Sequence, residues 1–102
     1  MQQGLFNITG SSGDTTTLIP TESTLGNITS IRITNVNASN SLTVDLFLED
    51  SAAAKSYYLK GTVVPAVTTL LLNEGLSFDS SVLSLKIKTT GTSPDVSVIV
   101  KG

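Results

Sequence analysis

Hydrolysis or group transfer needs an activated nucleophile, a carboxylate pair or a metal, and few residues in this chain could supply one. It contains no histidine and no cysteine, which excludes the serine–histidine triad and thiolate nucleophiles or metal sites. Ser84 lies close in sequence to Lys86 and Lys88, so a serine–lysine pair is formally available. All three share one parity of an alternating run, however, and are expected on its solvated face. Asp45 and Glu49 sit four residues apart, which in a strand places them on one face about 13 Å apart, too far for a glycosidase pair. Glu49 and Asp50 open the turn "EDSAAAK" and could approach a calcium ion together with turn carbonyls, but their spacing matches no calcium loop. The reading is therefore of a chain that is not an enzyme and holds no cofactor and no metal.

Binding chemistry has more candidates. Sequons stand at Asn7, Asn27 and Asn37, and a chain this rich in serine, threonine and asparagine produces such triplets by chance. The aromatic residues are Phe6, Phe47, Tyr57, Tyr58 and Phe78. Adjacent Tyr57 and Tyr58 must point to opposite faces of a strand, one inward and one outward, so the exposed member could offer a sugar a narrow stacking platform. More telling are apolar residues at positions whose neighbours face water. Phe47 falls in phase with Thr43, Asp45 and Glu49, Ile99 lies between Ser97 and Lys101, and Leu71 interrupts the alternation of Leu70 and Leu72. Brought together, Phe47, Leu71 and Ile99 would make a patch of the kind that marks subunit contact. Leu5 and Phe6, within "MQQGLF", join that set if residues 1–14 form an extended N-terminal arm lying along a neighbour.

The elements that must position these residues are strands. Leu42, Val44, Leu46 and Leu48 alternate with Thr43, Asp45, Phe47 and Glu49, the period of a half-buried strand. Ile31 and Ile33, then Leu83, Leu85 and Ile87, then Val96, Val98 and Val100 follow the same rule. Ile28 is out of phase with Ile31 and Ile33, which implies a bulge or a strand that begins after it. Weaker strand candidates span 5–9, 15–19, 56–60, 68–72 and 76–78. Between the candidates lie turn sequences: "GSSGD", "NASNS", "EDSAAAK", "NEG" and "TTGTSPD". Pro65 cannot donate to a ladder and is expected at an edge or corner. The whole reads as one all-β domain over 1–102, an antiparallel two-sheet sandwich of about eight strands, of jelly-roll or immunoglobulin-like topology.

Composition narrows the partners. At 102 residues and 10.6 kDa, area scaling buries close to two-thirds of the surface, so a subunit contact would relieve a thin core. Net charge is −2 and the six basic residues are scattered, leaving no cationic stripe for nucleic acid. Neither an export signal nor a membrane span is expected from the short apolar runs.

The segments "ITSIRITN", "LTVDLFLED", "YYLKGTVVPAVTTLLLNEGLSF" and "LSLKIKT", in that order from Ile28 to Val100, resemble small virion proteins of tailed phages, particularly marine and cyanobacterial ones. That family shares "I-x-S-I-x-[IV]-T-N", "V-x-L-[FY]-L-x-D", "Y-L", "[LV]-P-A-x-T-T-L-x-L" and "L-x-[IV]-K" strands. The resemblance implies a structural protein of the virion, assembled in the host cytoplasm. Its implied role is a capsid decoration (cement) protein that bridges neighbouring capsomers, with a neck, collar or tail accessory as the alternative. It also implies the major capsid protein or other virion proteins as partners and a homo-oligomer, a trimer being favoured. A carbohydrate-binding adhesin module, contacting glycan through Tyr57 or Tyr58, is the reading from a different class. The chain departs from the family in having Val67 where glycine often follows "PA", and "SFDSSV" where "AGDS" is usual.

Overall fold

A computed structural model describes residues 3–9, 13–19, 27–73, 76–77 and 82–101. The turns at 10–12 and 74–75, Met1 and Gln2 of the expected arm, and Phe78 lie outside the described residues. The described residues form ten strands: β1 (Gln3–Thr9), β2 (Asp14–Ile19), β3 (Asn27–Ile28), β4 (Ser30–Asn35), β5 (Leu42–Glu49), β6 (Lys55–Val64), β7 (Thr68–Leu72), β8 (Leu76–Ser77), β9 (Ser84–Thr90) and β10 (Asp95–Lys101). Eight of them form two four-stranded antiparallel sheets, sheet I in the order β1-β10-β4-β7 and sheet II in the order β2-β9-β5-β6, while β3 pairs with β8 alone. The expected sandwich is present, and the out-of-phase Ile28 belongs to its own short strand, separate from β4.

The pairing follows one rule. β1 pairs with β10, β2 with β9, β3 with β8, β4 with β7 and β5 with β6. The chain is thus a single long hairpin, its tip between β5 and β6, folded over on itself. Rolling this ribbon adds the β10–β4 and β5–β9 ladders and closes the sandwich. That is a jelly roll, not an immunoglobulin-like arrangement. Alternation then fills the core: Ile33, Val98, Val44, Leu46, Leu85 and Ile87 are fully buried between the sheets.

Folding the ribbon over costs hydrogen bonds at the corners, where the backbone leaves one ladder before entering the next. Asn35 supplies them. It is buried, at the end of β4, and its Nδ2 donates to the carbonyls of Asn40 (2.9 Å), Val64 (3.0 Å) and Pro65 (3.3 Å). Its Oδ1 accepts from the Asn37 amide at 3.1 Å. The β4–β5 and β6–β7 corners are therefore held by one carboxamide, and a Val67 N–H to Asn37 carbonyl bond links them again. Asn37 extends the clamp to the β9–β10 corner by donating to the carbonyls of Thr92 and Ser93.

The β6–β7 corner contains Pro65, as expected, and at Val67 a positive φ of 55°. A β-branched residue is strained there, which is the physical reason glycine suits this position. β6 is longer than the run expected at 56–60 because two bulges let it continue. Lys60 and Gly61, the latter at φ 63°, face Asp45 alone, and Tyr58 is an extra residue between the Leu59–Leu46 and Tyr57–Phe47 pairs. The Asp45 carboxylate accepts from the Gly61 amide at 2.7 Å and so fixes the first bulge.

Asn35→Ala, which strips partners from buried corner carbonyls, is expected to cost about 2 kcal/mol, read as a lower urea midpoint at unchanged slope. Val67→Gly is expected to raise stability by roughly 0.5–1 kcal/mol in the same titration, the relief of left-handed strain exceeding the entropy cost of glycine.

Candidate interaction face

The register aligns three of the outward apolar residues. Leu5 on β1 is opposite Ile99 on β10, Ile99 is opposite Arg32 on β4, and Arg32 is opposite Leu71 on β7. Leu5, Ile99, Arg32 and Leu71 thus form one row across the full outer face of sheet I. Leu5 is 68% and Leu71 48% exposed, Arg32 is exposed and Ile99 half-buried. Cross-strand neighbours on one face lie about 5 Å apart, so the row is an apolar bar interrupted by the Arg32 guanidinium. The adjoining row, Asn7, Ser97, Thr34 and Thr69, is polar, with the Thr34 and Thr69 hydroxyls hydrogen-bonded at 2.9 Å. Phe6 points the other way and packs against the core. Residues 3–9, expected within an arm, are instead edge strand β1, paired with β10 along their length.

Phe47 does not join this row. It lies on sheet II, opposite Lys86 and Tyr57, and the expectation of an exposed ring is corrected: Phe47 is 3% exposed. Its strand parity does put it on the outer face, but Tyr57 packs against it with centroids 5.4 Å apart and the Lys55 ammonium lies 5.9 Å from its ring. Long neighbouring side chains have roofed it. Tyr57 remains 44% exposed, yet the Lys60 ammonium sits 4.3 Å from its ring centroid, so the ring that a sugar would stack on is already engaged by its neighbours. Tyr58 packs inward and, with Leu59, Leu71, Leu72 and Asn73, lines a cleft of about 320 Å³ between the β6 and β7 edges.

Most of the residues considered for chemistry are occupied in holding the fold, while Lys88 is exposed. Ser84 is buried, contrary to its expected solvated position, and its Oγ donates to the Glu49 carbonyl at 3.3 Å. Lys86 bonds the Glu49 carboxylate at 2.5 Å and Lys55 approaches it at 3.4 Å. Asp50 Oδ1 accepts from the amides of Ala52 and Ala54, closing the β5–β6 turn. Asn37, a sequon residue, spends its carboxamide on the corner clamp described above, whereas Asn7 is exposed on sheet I; the side chain of Asn27 lies outside the described residues. Among the described residues no three acidic side chains gather into a metal-binding group.

No family model matches the sequence, and no curated protein matches it. Among solved structures, the chain is similar to the crystal structure of PirA, at 16% identity and a TM-score of 0.58, over 96% of this chain and 93% of that one. This similarity shows the fold alone. Looser superpositions are obtained with the Anabaena sensory rhodopsin transducer (16% identity, TM-score 0.41, over 96% and 94% of the chains) and with infectious bursal disease virus, Gx strain (13% identity, TM-score 0.41, over 98% and 32%).

The Lys86 hydrogen bond, reinforced by Lys55 and opposed by partial desolvation, holds the Glu49 carboxyl below its ordinary value of 4.5. In the unfolded chain that carboxyl titrates at the ordinary value. Stability from the charged form is therefore present above it and is lost as pH falls toward the lower folded value. Glu49→Gln is expected to flatten the acid-side fall in the urea midpoint while leaving the rest of the pH profile in place.

Proposed function

We propose that this chain is a structural protein of a tailed-phage particle, a capsid decoration protein that lays the outer face of sheet I across neighbouring capsomers. The observation that carries the reading is the row Leu5–Ile99–Arg32–Leu71, an apolar bar on one sheet only. The resemblance of the segments from Ile28 to Val100 to small virion proteins supplies the setting. The jelly roll alone does not choose, since the architecture serves shells and lectins alike.

The mechanism is mechanical. Burying a large aliphatic side chain contributes about 1.5–3 kcal/mol, and the three in the bar barely offset the entropy lost on association. One copy would bind weakly. Repetition over a lattice, or linkage of copies into an oligomer, turns many modest contacts into stable coverage. Arg32, in the middle of the bar, would give register by pairing with a carboxylate on the shell, a site where lysine could not reproduce the bidentate geometry.

A glycan-binding role has less support, because Tyr57 is capped by Lys60 and Tyr58 is turned inward. Neck or tail placement uses the same surface and differs in partner only.

Co-sedimentation with purified phage heads is expected to show saturable binding of the wild-type chain and its loss in the Leu71→Ser, Ile99→Ser double variant, with Lys88→Ser on sheet II as an unaffected control. Equal binding by all three, or none by any, would sink the decoration role.

A further inference from the structure

Among the described residues the two sheets end in four edge strands, β1 and β7, β2 and β6, and these are not alike. A sheet edge offers unpaired N–H and C=O groups, and proteins that must not join there blunt it with charge, proline or bulges. Both edges of sheet II are blunted. β2 begins at Asp14 and breaks register between Thr17 and Ile19, and β6 carries Lys55 and Lys60, two register shifts, and Pro65 just beyond its end. Both edges of sheet I are bare. β1 (QGLFNIT) and β7 (TTLLL) contain no charge and no proline, and each keeps unbroken register with its neighbour.

The bare edges also fit one another. Strands alternate in direction across sheet I and there are four of them, so β7 runs opposite to β1. A second copy arriving head to tail would bring its β1 to β7 already antiparallel. With Leu5 of that copy opposite Leu71, the outer face continues the apolar bar from one subunit to the next. The same register sets Phe6 opposite Leu70 and Gly4 opposite Leu72 on the inner face, so both pleats agree; a slip by one residue would set the inner face of one subunit beside the outer face of the next. Phe6, Leu70 and Leu72 are the partly buried members of the core cluster at these two edges. An added strand would cover them and roof the cleft beside Leu71 and Leu72.

We propose that copies of this chain join edge to edge, β1 of one adding to β7 of the next, so that sheet I runs unbroken through the assembly. Two-fold pairing of β7 with β7 would leave β1 bare, whereas head-to-tail addition uses both edges and closes as a ring if the rotation permits. The inference deepens the assembly role proposed above and rests on it for its setting, but it is tested on the purified chain without any capsid.

The chain has no cysteine, which makes crosslinking clean. Positions 5 and 71 lie three strand spacings apart within one copy, about 14 Å, beyond disulfide reach. Leu5→Cys and Leu71→Cys proteins, both substituted at exposed sites, are mixed and oxidised, beside a Thr15→Cys and Val63→Cys mixture that reports on the edges of sheet II. The expected result is a 5-to-71 heterodimer, absent from the control mixture and lost when Thr69→Lys is added to the Leu71→Cys chain. Only 5-to-5 or 71-to-71 products, or no more crosslink than the control, would overturn the proposal. A 5-to-71 product from a chain that fails to bind phage heads would retain edge joining and remove the virion role.

Discussion

The jelly roll depends on what happens where the ribbon folds over. Between paired strands the backbone finds its partners in the ladder. At the corners between β4 and β5 and between β6 and β7 it does not, and one buried carboxamide makes up the difference. Asn35 reaches both corners because ribbon pairing brings them side by side. The clamp acts on the step at which two paired strands cross together from sheet I to sheet II. A buried amide with its donors and acceptor all engaged is strongly favoured over the same amide left open, so it also specifies where the crossing occurs.

Once the ribbon is folded, the two outer faces take different characters. Sheet II carries Glu49 bound to Lys86 and Lys55, Asp45 beside Lys60, and Phe47 beneath Tyr57. Its charges and rings satisfy one another, and its edges are bulged. Sheet I carries an apolar bar, a polar hydroxyl row and two smooth edges. Several residues that might have done chemistry are spent on the fold, and the outer face of sheet I is the surface the proposed assembly would use.

Sequence periodicity identified the strands β4, β5, β9 and β10 and the sandwich they build, because a period of two is a local property of the chain. It could not separate a jelly roll from an immunoglobulin-like roll, since topology lies in which strands pair. Nor could it show that Leu5, Ile99 and Leu71 share a row, because register between distant strands has no local signature. Parity puts Phe47 on the correct face but not at the correct exposure, for it knows nothing of the long side chains that cover it. Asn35 does carry a local signal: it falls in phase with Ile31 and Ile33, and a polar residue at a core phase must have partners. Arg32 was legible only once its neighbours across the sheet were known. The asparagine of "ITN" and the "VP" of "VPA" bind each other, so what they encode is a corner of the fold.

The central claim, that sheet I is the joining surface, is tested most directly by hydrogen–deuterium exchange of the wild-type chain at low and high protein concentration. The account predicts that amides in 3–9 and 68–72 gain protection as concentration rises while those in 14–19 and 55–64 do not. Concentration-independent exchange throughout, or protection gained along β2 and β6, would contradict it.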